Sequence, residues 1–180
     1  MNITIQQKAG LSTQEYVIAV NGKAHYFAFE AYRNFHTHID ILSAKGIKPA
    51  VRIEIKRHKS LLNEKFTIRI AEDKVLRFEG ASFWYHDYAI FDSEVRYEII
   101  GHRGLSASIF RKSEQIGQLT KLNIISVLGK GRYQLQANEN ADLQMLLALA
   151  LIWDHLYGNR VVDIGQLFQS RAANREWKPK

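Results

Sequence analysis

The chain has no cysteine and only two prolines among 180 residues. Without thiols there can be no disulfide framework, thiolate catalysis, cysteine-bound zinc or palmitoylated cysteine. With so little proline, hydrogen-bonded ladders meet few interruptions. Also missing is the run of about 20 apolar residues needed to span a bilayer. The longest apolar stretch, the nine residues Met145 to Trp153, is closed by Asp154 and His155. The opening segment Met-Asn-Ile-Thr-Ile-Gln-Gln-Lys lacks the basic-then-apolar layout of a secretory signal. A cytoplasmic location, at most peripheral to a membrane, is therefore the expectation.

Catalytic signatures are missing too. No Gly-x-Ser-x-Gly elbow occurs, and no two acidic residues form an assignable acid–base pair. Gly101-His102-Arg103-Gly104 lacks the Gly-Lys-Ser/Thr ending of a phosphate loop and reads as a turn or bulge. Gly129-Lys130-Gly131 reads as a hairpin tip. No catalytic residue and no cofactor is expected; the chain reads as non-enzymatic, with an enzyme whose site lies at a barrel mouth as the remaining alternative.

What is present is a long series of short alternating segments. Tyr16 to Val20 and Lys23 to Phe29 flank Asn21-Gly22, a strong hairpin signal. Phe35 to Ile41 reads as a strand ending at the turn residues Ser43 to Gly46. Val51, Ile53 and Ile55 alternate with Arg52, Glu54 and Lys56, and Phe66 to Ile70 repeats the pattern. Val75 to Glu79, Phe83 to Phe91, Val95 to Ile100, Ser106 to Arg111 and Gln115 to Thr120 continue the series. Asn123 to Leu128 and Arg132 to Ala137 read as a last hairpin. Such spacing points to a sandwich or a barrel.

Ala141 to Tyr157 breaks the pattern. Asn140 offers a cap, Asp142 suits the first turn, and Gly158 offers a left-handed end. A helix of about 25 Å follows at 1.5 Å per residue. A helix apolar on every side must be wrapped on every side. Many strands with one apolar face each, closed around that helix, satisfy both needs and remove exposed edges. The expected architecture is mainly β: a closed antiparallel barrel around a hydrophobic C-terminal helix. It forms a single domain over 1–180, with a core at about 14–158 and a tail at 159–180.

This layout resembles the tubby C-terminal-like superfamily, and within it the LURP-one-related and scramblase-like branch. The residues that carry the resemblance are Arg52-Ile53-Glu54-Ile55-Lys56-Arg57, Phe66-Thr67-Ile68-Arg69-Ile70 and Tyr97-Glu98-Ile99-Ile100-Gly101. Ser108-Ile109-Phe110, Gln115-Ile116-Gly117-Gln118-Leu119, Tyr133-Gln134-Leu135 and the helix ending in Trp153-Asp154 add to them. The resemblance implies about twelve antiparallel strands around a central helix. It implies phosphoinositide binding, lipid scrambling or no established biochemistry, and a shared fold does not choose among these. Scramblases would carry cysteines and a longer terminal helix, and this chain has neither.

The charge of +7 and a pI near 9.6 favour anionic surfaces. Between Lys45 and Lys65, seven cations face only Glu54 and Glu64. Lys48, Arg52, Lys56, Arg57 and Lys59 are the candidate contacts for acidic phospholipid head groups, each adding about 1 kcal/mol near such a membrane. A protein-interaction module with no lipid ligand, using the aromatic strand or the tail, is the alternative. No recognised nucleic-acid module accompanies the charge. His36, His38 and Asp40 would share one strand face, which a solvated surface explains without a metal, and no further ligands are identifiable. In Phe83 to Phe91, the face carrying Trp84, His86 and Tyr88 is expected to lie under another part of the chain. Asp154 stands at the negative helix end, where it needs a cationic partner or an open barrel mouth, with His155 beside it. Beyond Gly158, Val161, Ile164, Leu167 and Phe168 suggest a short docking helix before a frayed basic tail.

Overall fold

Alternating isoleucines begin the sheet at the second residue. In the computed structural model, the described residues are 1–8, 14–33, 36–46, 50–56, 65–70, 74–80, 87–90, 96–102, 106–122, 131–157 and 177–180. Among them are twelve strands and one helix. The strands are β1 (Asn2–Lys8), β2 (Gln14–Val20), β3 (Lys23–Arg33), β4 (His36–Ser43), β5 (Val51–Lys56) and β6 (Lys65–Ile70). They continue as β7 (Lys74–Gly80), β8 (Asp87–Ile90), β9 (Tyr97–His102), β10 (Ser106–Arg111), β11 (Glu114–Lys121) and β12 (Arg132–Ala137). Helix α1 covers Leu143–Tyr157.

All neighbours pair antiparallel, in the order β1-β12-β11-β10-β9-β8-β7-β6-β5-β4-β3-β2. β1 pairs with β12 along one edge and with β2 along the other, which brings the ring back to its start. Buried Ile3 and Ile5 on β1 carry the period-two signal of that strand. The barrel core thus begins at Asn2 and not near residue 14. At the β2–β3 hairpin, Asn21 (φ 49°) and Gly22 (φ 80°) adopt the paired positive angles of a type I′ turn, as the dipeptide predicts.

Met145 to Asp154 are buried throughout, and the residues around them place the helix within the ring. Tyr16 (β2) and Tyr133 (β12) bond to Asp154, and Glu30 (β3) approaches His155. The Phe66 ring (β6) lies edge-on to His155, and Gly117 (β11) lies beside Leu146. One helix can meet strands at so many positions around a ring only from inside it. At about 1.5 Å per residue, its 15 residues span roughly 22 Å. No helix among the described residues is long and apolar enough to cross a membrane.

Several sequence expectations change. The helix starts at Leu143, and Asp142, not Asn140, caps it: its Oδ1 accepts from the Met145 N–H at 3.1 Å. Both edges of β12 are taken, by β11 and β1. Residues 123–128 themselves, like Gly158, Trp84, His86 and the stretch from Val161 to Phe168, lie outside the described residues. Of the basic tail, residues 177–180 are described and are held against the sheet. Trp177 Nε1 donates to the Gln115 carbonyl at 3.1 Å, and the Lys180 N–H donates to Asn138 Oδ1 at 2.8 Å.

Gly101 sits in β9 and not in a turn, and packing explains the glycine. A Cβ there would collide with Cη2 of Trp153, which is itself buried. The indole therefore rests on bare backbone. Gly101→Ala is expected to cost about 1–3 kcal/mol by overpacking. In a Trp153→Phe background the added cost should shrink, a coupling that a double-mutant cycle of urea denaturations reads directly.

Candidate functional site

β4 to β7 place the candidate cations by strand parity. Val51 and Ile53 are buried, so Arg52 between them faces solvent, with 46% of its side chain exposed. Its Nε donates to Asp40 Oδ1 at 2.6 Å and its Nη2 to Asp40 Oδ2 at 3.0 Å. This hydrogen bonding raises the guanidinium pKa above its ordinary value. The pair is a two-pronged fork on the outer wall, which in water contributes little stability. Asp40 is engaged by Arg52, the His36 side chain lies outside what is described, and no group of potential metal ligands occurs among the described residues.

The ladder sets like charges side by side. Arg52 stands opposite Arg69 of β6, and Lys56 opposite Lys65. Directly opposed like charges weaken a strand pair. Arg69 is exposed, and one strand further on Arg77 is exposed opposite Thr67. Lys48, Arg57 and Lys59 lie outside the described residues. Of the five candidates, the structure positions Arg52 and the backbone of Lys56. It adds Arg69, which the sequence reading passed over. The alternation Ile68-Arg69-Ile70 carried that signal, but not the register that puts Arg69 beside Arg52.

A second polar cluster lies inside the ring at the C-terminal end of α1. Asp154, expected to meet a cation or open solvent, is buried and held by two phenols. The Tyr16 hydroxyl lies 2.7 Å from Asp154 Oδ2, and the Tyr133 hydroxyl bonds Oδ1. Lys121 Nζ sits 5.6 Å from the centre of the Tyr133 ring. His155 Nδ1 lies 3.3 Å from Glu30 Oε1. Burial raises the Asp154 carboxyl above the usual carboxylate range, opposed by the tyrosine hydrogen bonds and by Lys121. Burial and the neighbouring carboxylate push both phenols above their ordinary value.

A neutral acid is one arrangement that satisfies the contacts around Tyr16, and a Gln14 amide turned to donate from Nε2 is the other. The Tyr16 oxygen is also 2.7 Å from Gln14 Oε1, yet a phenol has one proton for two acceptors. A protonated Asp154 that donates to Tyr16, while Tyr16 donates to Gln14, satisfies both contacts. It also removes the conflict with the negative helix end. The cluster ties α1 to β2 and β12, the two strands that flank β1, and so braces the place where the ring closes.

The model of the LURP-one-related family matches residues 1–154. The chain belongs to that family, a branch of the tubby-like C-terminal superfamily. No curated protein and no solved structure matches it.

Proposed function

We propose that this protein is a non-enzymatic binding module whose ligand is the anionic head-group layer of a phospholipid membrane. The contact runs over the basic stretch of Lys48, Arg52, Lys56, Arg57 and Lys59, with Arg69 beside it. The observation that carries this reading is the ladder register, Arg52 against Arg69 and Lys56 against Lys65. Opposed cations cost stability in isolation and gain most when phosphate lies across them. A peripheral, cytoplasmic-face location accords with such a ligand.

Sedimentation with vesicles tests it. The chain should pellet with phosphatidylcholine vesicles carrying about a third phosphatidylserine, and not with phosphatidylcholine alone. Lys56→Glu with Arg69→Glu removes two attractions of about 1 kcal/mol each and adds repulsion, so binding should fall by about thirtyfold or more. Raising the salt should weaken it further. Equal pelleting with both vesicle types would remove lipid charge as the ligand and leave a protein-interaction module as the reading.

A further inference from the structure

We infer that the outer face of β3 and β4 is the membrane-seating surface, with Phe27, Phe29 and Leu42 entering the head-group layer while Arg52 and Arg69 hold its phosphates. The inference rests on the anionic-lipid reading above and adds to it an apolar contact and an orientation.

Strand parity turns these side chains outward. On β3, Ala28 is fully buried and Glu30 reaches inward to His155, so Phe27 and Phe29 project from the opposite face. On β4, Ile39 and Ile41 are buried, which puts Leu42 outside with Asp40. Phe29 is 38% exposed, the only aromatic among the exposed large apolar side chains of the described residues. Register then assembles the patch. Phe27 stands opposite Leu42 on one side and Val17 on the other. Phe29 stands opposite Asp40, Asp40 opposite Arg52, and Arg52 opposite Arg69.

Charge indicates what covers this face. At about 4.8 Å between strands, Phe29 lies roughly 10 Å from Arg52 and 14 Å from Arg69 along one row. The row from β3 to β6 crosses three of the twelve intervals of the ring, about a quarter of its circumference, so the long arginine side chains are what reach a flat surface seated on Phe29. Lys23 and Lys45 are exposed at the turn end, where the Ala44 N–H binds the His25 carbonyl at 2.8 Å and holds the two strand ends together. Two acids share the row: Asp40, matched by Arg52, and Glu15 of β2, opposite Phe29. Phe27 with its outward neighbours Val17 and Leu42, together with Lys23 and Lys45 at the turn end and Arg52 and Arg69 along the row, fits a surface whose charged phosphates overlie a greasy layer.

The chain lacks cysteine, so a single introduced thiol is a clean probe. Phe29→Cys, labelled with an environment-sensitive dye, is mixed with phosphatidylcholine vesicles containing a third phosphatidylserine and a shallow spin-labelled lipid. Gln136→Cys, exposed on β12, serves as the distant site. The expected result is a blue shift and quenching at position 29 and neither at position 136. In the unlabelled chain, Phe29→Ala should reduce vesicle partitioning about tenfold. Pelleting without quenching at position 29, and without an effect of Phe29→Ala, overturns the seating but leaves the anionic-lipid reading in place. Failure of the unaltered chain to pellet with these vesicles overturns both.

Discussion

Replacing Trp153 with alanine should lower the unfolding free energy by about 3–5 kcal/mol, a large share of the roughly 5–15 kcal/mol that holds a domain folded. The indole is buried at the end of α1 and packs on the backbone of Gly101. A wall of hydrogen-bonded strands cannot easily collapse into the space it leaves, so most of the cavity cost should persist. Urea denaturation followed by circular dichroism reads the loss as a lower midpoint at unchanged slope. A change below about 1 kcal/mol would mean that the helix does not thread the ring. The placement of the core rests on this contact more than on any other.

The second large effect concerns Asp154. Removing both phenols, with Tyr16→Phe and Tyr133→Phe, leaves a buried carboxyl without partners and should cost about 3 kcal/mol or more. The pH dependence has a definite sign. Burial raises the Asp154 pKa in the folded state, so the folded chain binds more protons than the unfolded chain between the two values. The stabilisation is complete below the unfolded value of about 3.9 and is lost as pH rises through the folded one. Relative to Asp154→Asn, the parent should weaken by about 1.4 kcal/mol per pH unit across that window. Asn keeps an acceptor for Tyr133 and a donor for Tyr16, so it isolates the proton. The neighbours Glu30, Lys121 and His155 are common to both proteins, and their contributions largely cancel in the comparison. Parallel pH curves for the two proteins would rule out a neutral Asp154. Raised phenol values act at the other extreme: Tyr16 and Tyr133 stay protonated in the fold, so stability should fall again above about pH 10.

Local signals were legible where one residue type has one physical use. Asn21-Gly22 makes the hairpin because both residues accept positive φ. The alternation around Val51 and Phe66 sorted inner from outer faces because a strand repeats every two residues. Other elements were hidden by competition between neighbours. Asn140 and Asp142 are both good caps, and only the turn geometry chose Asp142. Gly101-His102 looked like a turn because the reason for its glycine, Trp153, lies 52 residues away in the chain. Arg132 to Ala137 seemed to need a local partner, but its ladder neighbours are β11 and the N-terminal β1. The candidate surface was half visible: a run of cations is evident in the chain, whereas the cross-strand row from Phe29 to Arg69 is not.

Composition and periodicity by themselves determined a strand-rich protein without thiols, with one greasy helix that had to be enclosed. Those are short-range properties, set by side-chain chemistry and the two-residue and 3.6-residue repeats. Tertiary structure alone decided that β1 closes the ring, that two phenols hold Asp154, and that Phe29 and two arginines share one outer row. Each depends on which distant segments become neighbours, and strand register is a property of pairs that no single segment carries.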